Sequence, residues 1–137
     1  MEPEDNLNSP TSILVVESEK ISLDILSAVL KRKYPEVTIH SARDGRAGLE
    51  CFRAHLPDIV ITEIRMPKMG GVQMVAEMRA ILPGTKFMVV TGDSERIECQ
   101  ESVGKGFEFD CYIVKPVAFE ALFAAIERCC GEIAKPC

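Results

Sequence analysis

Clustered basic residues are missing from this 137-residue chain, in which 16 Lys and Arg stand against 21 Asp and Glu for a net charge of −5. With a pI near 5.1, that excludes a nucleic-acid footprint, which needs Lys and Arg gathered on one surface. The nearest approach, Lys31-Arg32-Lys33, reads as the solvated last turn of a helix, where cations complement the helix dipole. No apolar run approaches the roughly 20 residues of a membrane span. The polar start Met1-Glu-Pro-Glu-Asp-Asn6 has neither the basic nor the apolar region of a signal peptide, so a cytoplasmic location is expected. None of the 6 cysteines forms a Cys-x-x-Cys pair, and His40 and His55 lack partners at zinc-ligand spacing. The thiols therefore read as reduced, with no metal-thiolate site expected. Internal repeats and low-complexity tracts are also absent.

What is present is a single domain's worth of core, 47% hydrophobic and 27% charged. Five apolar runs, Ser12–Val16, Val37–Ser41, Asp58–Thr62, Phe87–Val90 and Cys111–Val114, alternate with helix-like stretches, the pattern of a βα-repeated parallel sheet. The first helix is expected over Ile21 to Tyr34, with Ile21, Ile25, Ala28 and Val29 on the face toward the sheet. A second is expected over Asp44 to Ala54, and a third over Val72 to Leu82, closed by Pro83-Gly84. The stretch from Ser94 to Val103 is the most polar and is expected to be the most mobile. The last helix is placed from Pro116, with Phe119, Leu122, Phe123, Ile126 and Cys129 as its core stripe. Residues 1–11 read as a flexible tail, 12–130 as the domain, and 131–137 as a tail or the start of a linker. Right-handed crossovers then give an α/β, flavodoxin-like (βα)5 three-layer sandwich with parallel strand order 2-1-3-4-5.

In that layout the carboxyl ends of four strands converge where open α/β sheets carry their chemistry. Glu17-Ser18-Glu19 follows the first strand, Glu63 the third, Thr91 the fourth and Lys115-Pro116 the fifth. Carboxylates hold Mg²⁺, and a Lys and a Thr hydroxyl suit the oxygens of a transferring phosphoryl group. Each residue also has a plain structural reading: Lys115 as an ion-pair partner of Glu17 and Glu63, Thr91 as a β-branched strand end, Tyr112 as core.

The order and spacing of Ile13-Leu-Val-Val16, Ala42-Arg-Asp-Gly45, Asp58-Ile-Val-Ile-Thr-Glu63-Ile-Arg-Met-Pro67, Val89-Val-Thr91-Gly and Tyr112-Ile-Val-Lys115-Pro116 resemble the receiver domains of two-component response regulators. The resemblance covers Ser12 to Cys130. It implies Glu63 at the phosphoacceptor position, where the family has Asp, and Glu17 and Ser18 at the two metal-acid positions. It further implies the Arg65 carbonyl as a metal ligand, Thr91 and Lys115 as phosphoryl contacts, Tyr112 as the switch aromatic, and a cis peptide at Lys115-Pro116.

Two departures bear on one reaction. Glu63 displaces its carboxylate by about 1.5 Å, and a misplacement near 1 Å costs on the order of a hundredfold in a positioned reaction. Ser18 removes one charged oxygen ligand from a hard-cation site, so the cofactor expectation is none, or weakly bound Mg²⁺. Glu19 occupies a position that in the family points away from the metal, and Gly70 stands where the family often has Asp or Asn.

The resulting expectation is a non-enzymatic receiver-like domain whose aspartyl phosphorylation is lost or impaired, acting through protein partners. The resemblance implies as partners a histidine kinase or phosphotransfer protein and an effector. It also allows homodimerisation through the face of the fourth helical stretch, the fifth strand and the last helix, with no nucleic acid or membrane contact. The alternative is a receiver that accepts a phosphoryl group from a histidine kinase with Mg²⁺. A flavin-binding role is disfavoured because Glu17-Ser-Glu-Lys20 is acidic where a phosphate cradle is rich in Ser, Thr and Gly.

Overall fold

Runs that are apolar on consecutive residues can be buried on both faces only in the interior of a parallel sheet, and the chain builds one. A computed structural model describes residues 12–66, 68–92 and 109–134. In chain order it contains β1 (Ser12–Val16), α1 (Lys20–Lys33), β2 (Thr38–Ala42), α2 (Gly45–His55), β3 (Ile59–Glu63), α3 (Gly71–Ile81), β4 (Lys86–Thr91), β5 (Cys111–Val114) and α4 (Phe119–Ala134). The strands pair in parallel in the order β2-β1-β3-β4-β5, the flavodoxin-like arrangement expected from the sequence. The stretch from Ser94 to Val103 and the segment 1–11 lie outside the described residues.

Alternation along the strands divides the core in two. Ile13, Val15, Ile59, Ile61 and Met88 face a cluster closed by Leu23 and Leu30 of α1 and by Leu122 and Ile126 of α4. Leu14, Val16, Val60, Phe87 and Val89 face the opposite cluster, closed by Leu49 and Phe52 of α2 and by Met74 and Met78 of α3. Helices on both faces thus make three layers.

Two expectations about helices are corrected. The buried stripe of α1 is Leu23 and Leu30 with Leu26 alongside, whereas Ile21 is 71% and Ile25 51% exposed. Apolar residues surround this helix, so its periodicity does not single out the face that meets the sheet. The last helix begins at Phe119, not at the expected Pro116, and the Lys115–Pro116 peptide is cis. Of its expected stripe, Leu122, Ile126 and Cys129 are buried, while Phe119 is exposed. The helix runs on to Ala134.

Close backbone approaches set the loops beside the carboxyl edge. A Cβ on Gly71 would meet the Glu63 carbonyl oxygen at 2.3 Å, and one on Gly45 the Met69 carbonyl oxygen at 2.1 Å. The Gly71 N–H donates to the Ile64 carbonyl at 2.7 Å, closing the β3–α3 loop. At the start of α2, Asp44 accepts from the Ala47 N–H at 2.8 Å, a side-chain N-cap.

Candidate functional site

Register places the site. β1 and β3 pair with Val16 opposite Thr62, so the next residue of each chain segment, Glu17 and Glu63, leaves the sheet side by side. β4 pairs with β3 at Glu63 opposite Val90, and with β5 at Thr91 opposite Val114. Thr91 and Lys115 therefore follow one step beyond, on the same edge.

Glu63 is the centre of the arrangement and is only 8% exposed. Its Oε2 accepts two hydrogen bonds from one residue, from the Ser18 N–H at 2.7 Å and from the Ser18 hydroxyl at 2.5 Å. Such charge-assisted bonds are about twice as strong as neutral ones. Ser18 is itself tied down, because Arg43 Nη2 donates to its carbonyl at 3.0 Å. Glu63 Oε1 lies 4.0 Å from Lys115 Nζ, whose side chain is 45% exposed, so this ion pair is long and partly screened. Lys115 and Glu17 also line a cleft of about 380 Å³ whose walls include Ile25, Val90, Val117 and Phe119.

Glu17 lies close enough to Glu63 for the two carboxyls to interact, and its pKa is raised above the ordinary 4.5. Burial is the main cause, followed among the raising effects by the charge of Glu63 and a hydrogen bond with it. The Glu19 N–H, which donates to Glu17 Oε2 at 3.1 Å, and the Lys115 charge oppose the rise. Glu19 turns its own carboxylate elsewhere, accepting from the Ser22 hydroxyl at 2.7 Å.

The remaining expected residues are nearby but differently engaged. Thr91 is fully buried, and its hydroxyl donates to the Gly92 carbonyl at 2.9 Å. Tyr112 is half-buried against the second core cluster, edge-on to Phe109 with ring centroids 5.7 Å apart. Arg65 is exposed on the β3–α3 loop. Sequence reasoning assigned no role to Arg43 or to the Thr62 hydroxyl, which donates to the Glu63 carbonyl at 2.8 Å. A basic residue directly after the strand beside β1 was the available signal for Arg43.

The donor set does not fit a tight magnesium site. A hard cation needs several charged or carbonyl oxygens, whereas Ser18 supplies a hydroxyl whose proton is committed to Glu63 and the Glu17 pKa is raised.

The family model for the response regulator receiver domain matches residues 13–127. The chain belongs to this family. Among curated proteins, the receiver is 31% identical over 116 residues to the transcriptional regulatory protein ZraR of Escherichia coli, covering 85% of this chain and 25% of that protein. It is 33% identical over 116 residues to the sensory transduction protein RegX3 of Mycobacterium tuberculosis, covering 85% and 49%. The chain thus spans a quarter to a half of the length of these relatives. Among solved structures, the N-terminal domain of WS1339 from Wolinella succinogenes superposes with a TM-score of 0.74 at 30% identity, covering 86% of this receiver and 92% of that chain. A response regulator receiver domain from Clostridium thermocellum gives 0.78 at 25% identity, covering 89% and 95%. The chemotaxis response regulator CheY4 of Vibrio cholerae, at 23% identity and a TM-score of 0.73 over 87% and 98%, shares the fold.

Proposed function

We propose that this receiver domain of two-component signalling no longer turns over a phosphoryl group, and works as a non-enzymatic binding module with a standing carboxylate at its acceptor position. The observation that carries this reading is the double donation from Ser18 to Glu63 Oε2, at 2.7 and 2.5 Å. A residue at a metal-acid position thereby serves as a donor to the acceptor carboxylate, which pins the carboxylate's orientation and draws charge from the oxygen that would attack a phosphodonor. Glu63 also sets a negative charge before Lys115 without phosphate. The mimicry is partial, since a carboxylate carries one charge and two oxygens against nearly two charges and three oxygens on a phosphoryl group.

Output then depends on partners in the cytoplasm, namely a histidine kinase or phosphotransfer protein that docks without transfer, and an effector. The longer relatives, several of them named as transcriptional regulatory proteins, are the model for that second partner. Intact-mass measurement after incubation with Mg²⁺ and acetyl phosphate tests the reading. The expected result is unmodified protein, and a stoichiometric phosphoryl adduct on Glu63 would overturn it.

A further inference from the structure

Three soft or borderline donors meet on the flank of the sheet, in a place unrelated to the acceptor carboxylate. His40 lies on β2, the edge strand, while Cys51 and His55 lie on α2 at positions i and i+4, a spacing that puts both side chains on one helix face. His40 pairs in register with Leu14 and shares its side of β2 with Ala42, and both Leu14 and Ala42 belong to the core cluster beneath α2. Phe52, fully buried, holds the helix to the sheet one residue from Cys51. The His40 and His55 rings stack with centroids 4.0 Å apart and planes 17° from parallel. One ligand atom from each of His40, Cys51 and His55 lies within 4.8 Å of the other two. This corrects the sequence-based expectation that the two histidines lack ligand partners: the spacing spans a strand and a helix, and only the β2–α2 register unites it.

We infer that His40, Cys51 and His55 form a zinc-class metal site with two imidazole nitrogens and one thiolate, its fourth position open to water or an external ligand. In a tetrahedral zinc site with ordinary bond lengths, ligand atoms stand about 3.3 to 3.6 Å apart. Closure requires the stack to open, because each imidazole nitrogen offers its lone pair in the plane of its ring and parallel rings cannot aim at one ion; the change of rotamer falls to His55, exposed at the last residue of α2. The donors match the metal as well. Imidazole with thiolate suits zinc and its borderline neighbours, while magnesium prefers oxygen. An edge-strand location gives the ion a path from solvent. Once bound, the ion cross-links the edge strand to α2, and the site binds its ligand whether or not Glu63 is phosphorylated.

Cobalt(II) is the probe, added to tag-free, reduced protein and followed by absorption. One equivalent is expected to give visible ligand-field bands of a tetrahedral ion together with a near-ultraviolet thiolate-to-cobalt charge-transfer band, and zinc(II) is expected to displace both. Cys51→Ser should lose the charge-transfer band. His55→Ala, at an exposed position that leaves the core intact, should weaken binding by at least about tenfold, since even residues behind the ligands cost that much in metal sites. Absence of the charge-transfer band in the parent protein would overturn the assignment, as would its persistence in Cys51→Ser through another cysteine such as Cys129 or Cys130. If Cys51→Ser fails to fold, His55→Ala decides alone: unchanged affinity for cobalt(II) in the folded variant overturns the site.

Discussion

The Ser18 hydroxyl and N–H converge on one oxygen of Glu63, so a change at either residue is felt at the other. Ser18→Ala removes one of two charge-assisted bonds to a nearly buried carboxylate, a loss of about 1–2 kcal/mol. Urea unfolding should show it as a lower midpoint with the slope unchanged. The neighbouring Glu17 carries a pH signature. Its pKa is raised chiefly by burial and then by Glu63, so as pH climbs just above 4.5 the unfolded chain has released a proton that the native state still holds. Stability therefore falls as pH rises through that window, being fully present below it. Glu17→Gln should flatten this fall and stabilise the fold at neutral pH. Thermal melts from pH 4 to pH 7 (roughly the window of a raised carboxyl) check it, and a variant profile parallel to the parent's would refute the assignment. The sequence disclosed that Ser18 lacks a charge. That its two donors would cap Glu63 depends on the β1–β3 register, which no local pattern encodes.

At the scale of elements, the β3–α3 junction is the tightest point near the site. A methyl at Gly71 would collide with the Glu63 carbonyl, whereas one at Gly84 meets nothing within 4 Å. Gly71→Ala should cost about 1–3 kcal/mol, the range for overpacking, and Gly84→Ala should be close to neutral. Comparing the two by denaturant midpoint separates crowding at the site from a general effect of adding a methyl. Strand positions were legible in the sequence because β1, β3 and β4 are buried on both faces, and continuous apolar runs leave little choice of structure. The phase of α1 was not, since Ile21, Leu23, Ile25 and Leu26 encircle the helix and only contact with the sheet selects Leu23 and Leu30. The His40–Cys51–His55 cluster failed to appear for a related reason. Half of it is a helical spacing, and the other half is a strand register.

For the whole molecule, the question that the proposed function raises is whether the scaffold or the two side chains Ser18 and Glu63 set how the carboxyl edge holds a cation. The sheet order is that of the receiver fold, and Glu17, Glu63, Thr91 and Lys115 lie on one edge of it. The described core is closed on both faces by the helices, and Ser18 and Glu63 belong to neither apolar cluster, so substitution at both can be confined to the edge. Ser18→Asp together with Glu63→Asp adds one acid after β1, shortens the side chain at position 63 by about 1.5 Å and removes the hydroxyl donor. Calorimetric titration should then show Mg²⁺ bound at least about tenfold more tightly than by the parent, as expected when a hard cation regains a charged oxygen ligand. Each single variant should fall short of the pair, because Ser18→Asp alone leaves the longer Glu63 side chain crowding the new acid, while Glu63→Asp alone leaves the serine donor in place. Equal, weak Mg²⁺ binding by parent and double variant would locate the defect in the scaffold, and would separate this chain from its relatives at a level deeper than two side chains.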